Sequence, residues 1–220
     1  MKIIGITGKS GSGKTTLASY LSKELNCQHI DIDKIGHEAI YRPEVFNTLI
    51  KAFGNEILDS NGNIDRKKIG NNVFSNKQKM DTLTDITWDY MQQKLDLILS
   101  QENEIIILDW ILLPKSKYWD KCACKILVIS DDTMRRSRIL KRDNISKEYL
   151  DKREASSLDY SQVYFDYIFE NTYQEKNLLE IVNMIKKGLK WLQTFFIFLP
   201  IQIFLPEDTL KHLCYSSVIP

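Results

Sequence analysis

Gly8-Lys9-Ser10-Gly11-Ser12-Gly13-Lys14-Thr15 is the stretch that decides the fold, and we call it the phosphate loop because it matches G-x-x-x-x-G-K-[ST] at every position. An apolar run at residues 3–6 precedes it, and a helical pattern with Leu17, Ala18 and Leu21 on one side follows it. The glycines let the backbone turn tightly and aim its N–H groups inward at a helix N-terminus, which forms a nest for anions. Strand, loop and helix in this order predict a site for a purine nucleoside triphosphate.

Two side chains of the phosphate loop carry predicted chemistry. Lys14 is expected to reach the β- and γ-phosphates of ATP, and the Thr15 hydroxyl is expected to ligate Mg²⁺. The candidate nucleotide-binding residues are Gly8, Lys9, Ser10, Gly11, Ser12, Gly13, Lys14, Thr15 and Thr16. A GTPase would also need an N-K-x-D motif to read the base, and Asn76-Lys77-Gln78-Lys79 departs from that motif at its fourth position.

Short apolar runs alternate with longer helical patterns along the chain. The predicted strands are residues 3–6, 29–32, 105–109, 126–130 and 167–169. The predicted helices are residues 14–25, 65–74, 77–100, 131–141, 147–157 and 174–191. Strands separated by helices need crossover connections, and their nearly continuous Ile, Leu and Val content is typical of strands covered on both faces. We therefore predict an α/β P-loop NTPase fold, a parallel five-stranded sheet with helices on both faces.

Composition and charge exclude several classes of protein. Of 220 residues, 43% are hydrophobic and 27% are charged, which indicates a globular chain rather than a disordered or fibrous one. Thirty Lys and Arg against 29 Asp and Glu leave a net charge of +1, so no global field draws the chain to nucleic acid or to an anionic membrane. The four cysteines lack metal-site spacing and the N-terminus lacks a signal-peptide core, so we expect reduced thiols and a cytoplasmic location. The partner we expect is a small-molecule substrate and not a nucleic acid.

The acidic pair in Asp31-Ile32-Asp33 is the second functional candidate. We predict that it ends the second strand and that this strand lies beside the first, so that a carboxylate faces the γ-phosphate. Phosphoryl transfer to an alcohol needs an oxygen acceptor that orients the hydroxyl and takes its proton. Strand alternation would send Asp31 and Asp33 to opposite faces, so only one of them would do this. The other role open to Asp33 is that of an N-cap before a helix.

These motifs resemble those of the dephospho-CoA kinase family, which phosphorylates the ribose 3′-hydroxyl of dephospho-CoA with ATP. The resemblance runs from residue 3 to about residue 185 and is carried by four segments: Ile6-Thr7-Gly8 with Ser12-Gly13-Lys14-Thr15-Thr16, Ile30-Asp31-Ile32-Asp33 with His37, Phe53-Gly54 through Val73-Phe74, and Arg138 with Arg142-Asp143. The third segment discriminates best, because F-G-x-x-I-L-D…G-x-I-D-R…V-F is not shared with adenylate, shikimate or uridine kinases. A weaker match to the family's D-x-x-L-L segment lies at residues 109–113.

The resemblance implies roles for residues outside the phosphate loop. Asp33 would be the general base, residues 59–74 of an insertion at about 34–100 would cradle the CoA side, and Arg142 would lie in a lid at about 138–160. Residues 133–153 independently hold eight Lys and Arg against three acids. Arg138 and Arg142 lie four residues apart on one helix face, and we assign both to stabilising the transferring phosphoryl group. Solvated positions on the helices are the expectation for Arg135, Lys147 and Lys152.

Three departures from the family pattern leave the acceptor open. Thr87-Trp88-Asp89 stands where the family has T-H-P, Lys115 reverses the charge of an acid, and residues 154–175 contain no Lys or Arg. Trp88 is either a core residue or a platform for an adenine. The alternatives are therefore a kinase for another nucleoside-like or small alcohol, or a divergent ATP-binding protein without efficient transfer.

The C-terminal end adds an apolar extension to the predicted kinase domain of residues 1–190. Its apolar part, residues 191–205, is interrupted by Gln193, Pro200 and Gln202. It is shorter than the roughly 20 apolar residues of a membrane-spanning helix, so we expect no stable membrane insertion. Residues 191–220 either present a partner surface through this segment or pack back on the sheet.

Overall fold

The computed structural model describes residues 1–73, 76–101, 104–155 and 157–194. The strands are β1 (Lys2–Thr7), β2 (Gln28–Asp31), β3 (Ile105–Asp109), β4 (Cys122–Ile129) and β5 (Tyr167–Glu170). The helices are α1 (Lys14–Leu25), α2 (Ile32–Ala39), α3 (Pro43–Phe53), α4 (Arg66–Val73), α5 (Lys77–Leu99), α6 (Asp132–Asp143), α7 (Lys147–Ala155) and α8 (Glu175–Thr194). Short 3₁₀ helices occupy Asn55–Ile57 and Leu113–Lys115.

The strands form one five-stranded sheet in the order β2-β3-β1-β4-β5. β1 pairs in parallel with both β3 and β4, and β4 pairs in parallel with β5. The predicted parallel α/β sheet is confirmed. The expected neighbours were wrong, because β3 lies between β1 and β2. Strand order depends on where each crossover helix returns the chain, and no local pattern encodes that.

A buried aliphatic core explains the apolar strand sequences. Residues of β1, β3, β4 and β5 pack with one side of α1 and with α8 in a single cluster. Ile4, Ile6 and Leu17 in this cluster are fully buried. The core holds β1 and α1 in place at the two ends of the phosphate loop.

The described chain forms two compact units. One contains residues 2–29 and 105–135 together with the chain from residue 158, and the other contains residues 30–104 and 136–157 with Met1. The second unit has its own apolar cluster, made of residues between Ile40 and Val73 and the flanking side of α5. A tight turn follows Leu58 in this unit, where Asp59 Oδ1 accepts hydrogen bonds from the N–H groups of Asn61 and Asn63. The sequence Asp59-Ser60-Asn61-Gly62-Asn63 is typical of such a turn.

Two helices were not among the predicted ones: α2, considered only as the helix that an Asp33 cap would precede, and α3. The sequence interpretation placed no helix at residues 43–53, where α3 lies. Pro43 stands in its first turn, where the missing N–H of proline does no harm. Val45, Leu49 and Phe53 recur every four residues and are all buried. This periodicity was the available signal.

The C-terminal prediction lies mostly outside the described residues. α8 continues to Thr194, and the apolar run from residue 195 onward falls beyond the described ranges. Among the described residues, no helix combines the length and apolar character needed to cross a membrane. Cys27, Cys122 and Cys124 are free thiols, whereas Cys214 falls outside the described part.

Candidate active site

The phosphate loop takes the tightly turned form that its glycines predict. Gly8, Gly11 and Gly13 all have positive φ, at 146°, 78° and 97°. Inside the loop, the Ser12 N–H donates to the Lys9 carbonyl at 3.2 Å. α1 starts directly afterwards at Lys14, so its N-terminus opens onto the loop.

Close approach by other segments requires glycine at two positions of the loop. A Cβ atom at Gly8 would lie 2.2 Å from the Val128 carbonyl oxygen of β4. A Cβ atom at Gly13 would lie 2.0 Å from Asn171 Nδ2. Neither distance admits a carbon atom, so these glycines are needed for packing as well as for turning.

Lys14 lies at the base of the phosphate loop. It is only 8% exposed, and its Nζ donates to the Lys9 carbonyl at 3.3 Å. The ammonium group therefore folds back along the inside of the loop. This is the location at which a lysine can reach phosphate oxygens.

Thr15 is joined to a carboxylate that the sequence interpretation did not assign to the site. Its Oγ1 donates to Oδ2 of Asp109 at 2.7 Å, and Asp109 is 2% exposed. His29 Nε2 lies 3.6 Å from the same carboxylate oxygen. Asp109 ends β3, the strand that lies directly beside β1. The sequence signal for Asp109 is an acid at the end of a buried strand, and the family resemblance includes it only through the weaker match at residues 109–113.

A threonine hydroxyl and an aspartate carboxylate fit one side of a Mg²⁺ site. Mg²⁺ prefers oxygen ligands and is usually held by one or two protein groups, with water and substrate phosphates completing the shell. Within the described ranges there is no cluster of three or more His, Cys, Asp or Glu that could hold a metal by itself. Thr15 and Asp109 thus suit a metal that arrives with the triphosphate.

The acidic pair lies differently from its prediction. β2 ends at Asp31 and α2 begins at Ile32, so Asp33 is in the first helical turn and does not extend the strand. Asp31 is the N-cap, because its carboxylate accepts from the Lys34 N–H at 3.3 Å. The capping alternative proposed for Asp33 is therefore wrong. Asp33 itself is exposed and negatively charged near a helix N-terminus.

Arg142 belongs to an ion-pair network at the end of α6. Its Nε and Nη2 donate to the two Asp143 oxygens at 2.6 and 3.0 Å, and Arg153 Nη1 donates to Asp143 at 3.1 Å. The Arg142 hydrogen bonds hold the pKa of the Asp143 carboxyl below its ordinary value. Asp143 in turn raises the pKa of Arg142. Arg138 lies one turn earlier on the same helix and is exposed.

Arg135 contradicts its predicted place on a solvated helix face. It is 2% exposed, and its Nη1 donates to the Ser10 carbonyl of the phosphate loop at 2.9 Å. Its Nε donates to Asp132 at 3.0 Å. The helical pattern of α6 cannot reveal this contact, because Ser10 lies in a distant part of the sequence. Lys147 and Lys152 are exposed as expected.

Two further residues at the phosphate loop come from the segment after β5. Asn171 Nδ2 donates to the Ser12 carbonyl at 2.8 Å, and the Tyr173 hydroxyl donates to the Gly11 carbonyl at 3.0 Å. The sequence interpretation assigned neither residue to the site. The available signal was their position just past the carboxyl end of a buried strand, where α/β sheets place ligand contacts.

The insertion holds a histidine–arginine pair. Arg66 Nη2 and His37 Nε2 are 2.7 Å apart. Partial burial lowers the pKa of His37, and the nearby charge of Arg66 lowers it further. His37 is therefore suited to accept the hydrogen bond as a neutral ring.

Two of the departures from the family pattern lie on described helices, the first on α5 and the second on a 3₁₀ helix. Thr87 is buried and donates to the carbonyls of Leu83 and Thr84 in its own helix. Trp88 is half-buried on α5, and Lys115 is exposed at the end of a 3₁₀ helix.

Three features define the class of protein: the phosphate loop, the Thr15–Asp109 pair and the parallel sheet. It is a P-loop protein of the kinase type. A helical insertion follows β2, and arginine-bearing helices follow β4. The chain belongs to the dephospho-CoA kinase family, whose sequence model, described as "Dephospho-CoA kinase", matches residues 2–176.

Individual relatives agree with this assignment. The chain is 36% identical over 183 residues to the "Dephospho-CoA kinase" of Fusobacterium nucleatum subsp. nucleatum. The aligned region covers 82% of this chain and 94% of that protein. Among solved structures, TT1252 from Thermus thermophilus is similar with a TM-score of 0.70 at 24% identity, covering 86% of this chain and 97% of that one. A dephospho-CoA kinase from Campylobacter jejuni is similar with a TM-score of 0.52 at 21% identity and the same coverage. These two likenesses establish the fold.

Proposed function

We propose that this protein transfers the γ-phosphoryl group of ATP to the ribose 3′-hydroxyl of dephospho-CoA, the last step of CoA biosynthesis. Membership of the dephospho-CoA kinase family is the observation that carries this proposal. The phosphate loop, with Lys14 inside it and Thr15 bonded to Asp109, supports it from the chemistry of the residues. Such a reaction uses small soluble reactants, and we place it in the cytoplasm.

The donor side consists of residues on the phosphate loop and β3. Backbone N–H groups of residues 8–16, other than that of Ser12, bind the phosphates, and Lys14 neutralises negative charge that develops during transfer. Thr15 and Asp109 would hold Mg²⁺, which would supply positive charge to offset that of the phosphates. The 2.7 Å hydrogen bond between the two residues orients the Thr15 oxygen toward its ligand role.

Asp33 acts on the acceptor side as the general base. As an exposed carboxylate in the first turn of α2, it orients the 3′-hydroxyl and accepts its proton as the new phosphate ester bond forms. Residues 34–100 form the substrate-binding insertion, in which residues 59–74 cradle the CoA side.

Arg138 and Arg142 close over the transferring group in a lid of residues 138–160. Both are exposed, and the guanidinium of Arg142 is held in one orientation by Asp143. Planar guanidinium groups suit phosphate oxygens, so an oriented arginine brings charge to the transition state with little reorganisation.

A panel of acceptors tests the assignment of substrate. Purified protein is incubated with ATP, Mg²⁺ and each acceptor in turn, and ADP release is followed by a coupled assay. Dephospho-CoA should give the highest kcat/KM, ahead of nucleosides, shikimate and pantothenate derivatives that lack the adenosine. A better acceptor in the panel would reassign the enzyme to another alcohol. ATP binding without any acceptor-dependent ADP release would favour a divergent nucleotide-binding protein.

A further inference from the structure

Three consecutive carbonyl groups of the phosphate loop accept hydrogen bonds from side chains that lie outside it. Arg135 donates to Ser10, Tyr173 to Gly11 and Asn171 to Ser12, at 2.9, 3.0 and 2.8 Å. We call these three residues the carbonyl clamp. They come from α6 and from the segment after β5, so elements that follow β4 and β5 hold the outer side of the loop.

The donors of the carbonyl clamp are themselves fixed. Arg135 is almost fully buried and is anchored by Asp132. Asn171 is 7% exposed, and its Oδ1 accepts from the Tyr173 N–H at 2.9 Å. The Asn171 N–H donates to the Ile129 carbonyl at the end of β4 at 2.8 Å. Asn171 therefore joins the end of β4 to the phosphate loop by hydrogen bonds.

Tyr173 adopts a backbone conformation that tyrosine seldom takes. Its φ is +62°, in the left-handed region that favours glycine. A glycine would adopt this conformation without strain but would have no hydroxyl to place on Gly11. Strained residues of this kind persist where the surrounding structure holds them, and they cluster at functional sites.

The planarity of the peptide group links the clamped carbonyls to the phosphates. In a trans peptide, a carbonyl and the N–H of the next residue point in opposite directions, and the described residues contain no cis peptide. Holding the Ser10 carbonyl thus aims the Gly11 N–H the opposite way, and holding the Ser12 carbonyl does the same for the Gly13 N–H. Holding the Gly11 carbonyl directs the Ser12 N–H to the Lys9 carbonyl, to which it donates at 3.2 Å, so the Tyr173 hydrogen bond fixes the turn of the loop. Inward-directed N–H groups are what an anion nest requires.

We infer that Arg135, Asn171 and Tyr173 are positioning residues that fix the phosphate loop in the conformation that binds ATP. The inference rests on the proposed function, because it concerns the triphosphate site of that reaction. Ordering of a loop during binding weakens affinity, so a loop that is ordered beforehand binds more tightly. Arg135 adds a fixed positive charge next to the loop.

The most direct test removes one hydroxyl. Tyr173→Phe deletes the hydrogen bond to Gly11 and keeps the ring and the backbone. Its matched control is Tyr164→Phe, which deletes an exposed hydroxyl bonded to Asp166 at 3.3 Å. Calorimetric titration with a non-hydrolysable ATP analogue and Mg²⁺ should show binding weakened about five- to tenfold in Tyr173→Phe and unchanged in Tyr164→Phe. The KM for dephospho-CoA should be the same in both variants.

Three further variants separate positioning from simple stability. Tyr173→Gly relieves the left-handed backbone, so it should melt no lower than Tyr173→Phe and yet bind the ATP analogue as weakly. Arg135→Lys keeps the charge and should retain more affinity than Arg135→Met, which removes both the charge and the donor.

The outcomes are distinguishable. Equal affinity of wild type, Tyr173→Phe and Tyr173→Gly for the analogue would overturn the positioning role while leaving the proposed function intact. A wild-type protein that binds neither ATP nor the analogue would overturn the proposed function, and the positioning role with it.

Discussion

Thr15 and Asp109 meet at the carboxyl edge of the sheet, where the Thr15 hydroxyl donates to Oδ2 of Asp109 at 2.7 Å. They lie 94 residues apart in the chain, and they meet because β3 pairs directly with β1. The pair combines the two kinds of oxygen ligand that Mg²⁺ uses in P-loop proteins.

Replacement of Asp109 tests the metal site. Asp109→Asn keeps an oxygen that can accept from Thr15 but removes the negative charge that favours the cation. We expect kcat to fall about a hundredfold and half-maximal activity to require more Mg²⁺. Titration of activity with Mg²⁺ at saturating ATP measures both effects. The exposed Asp120→Asn variant is the control, and an Mg²⁺ dependence like that of the control would remove Asp109 from the site.

Replacement of Lys14 tests the phosphate loop. Lys14→Ala deletes the ammonium group that the G-K-[ST] spacing places at the phosphates, and we expect turnover to fall by about a thousandfold or more. Lys23→Ala removes an exposed lysine from the same helix and should leave turnover near wild type. Initial rates and melting temperatures of both variants would be measured together. Substantial turnover in Lys14→Ala would contradict its role.

Replacement of Asp33 separates chemistry from binding. Asp33→Asn cannot accept the hydroxyl proton, so kcat should fall about 10²- to 10⁴-fold, whereas ATP affinity should change little. Asp31→Ala should show a contrasting effect on stability, because loss of this N-cap lowers the free energy of unfolding by about 1 kcal/mol. Single-turnover kinetics and calorimetry distinguish the two. Near-normal kcat in Asp33→Asn would exclude it as the base.

The Arg142–Asp143 pair predicts a pH dependence. Because the folded-state pKa of Asp143 is depressed, the pair contributes stability above the unfolded pKa and loses it as pH falls through the folded pKa. Asp143→Asn should therefore lower the free energy of unfolding by at most about 1 kcal/mol at neutral pH and by less in acid. Urea unfolding from about pH 6 to pH 3 measures the difference. A gap between the variants that stays constant across this range would contradict the assignment.

The parts of the fold that depend on local pattern could be predicted. The helix at residues 14–25 and the strand at residues 105–109 have the bounds expected from apolar periodicity and from the glycine-rich loop. The helix at Pro43–Phe53 was missed although its buried residues recur at helical spacing. Helix existence is thus encoded locally in each case.

The parts of the site that depend on strand order and long-range contact could not be predicted. A carboxylate was expected beside the phosphate loop, but β2 was assumed to supply it, and the strand that lies beside β1 is β3. Arg135 looked like a surface residue because a helical pattern does not reveal that Ser10 lies against it. Tyr173 gave no signal, since a left-handed tyrosine is set by its surroundings rather than by its own preference.

Identification of the product tests the central claim most directly. The protein is incubated with γ-labelled ATP, Mg²⁺ and dephospho-CoA, and the products are resolved by chromatography and mass spectrometry. We predict that label appears on the ribose 3′-oxygen of CoA in a one-to-one ratio with ADP. Label that appears in inorganic phosphate or on another acceptor, with dephospho-CoA left unchanged, would contradict the account.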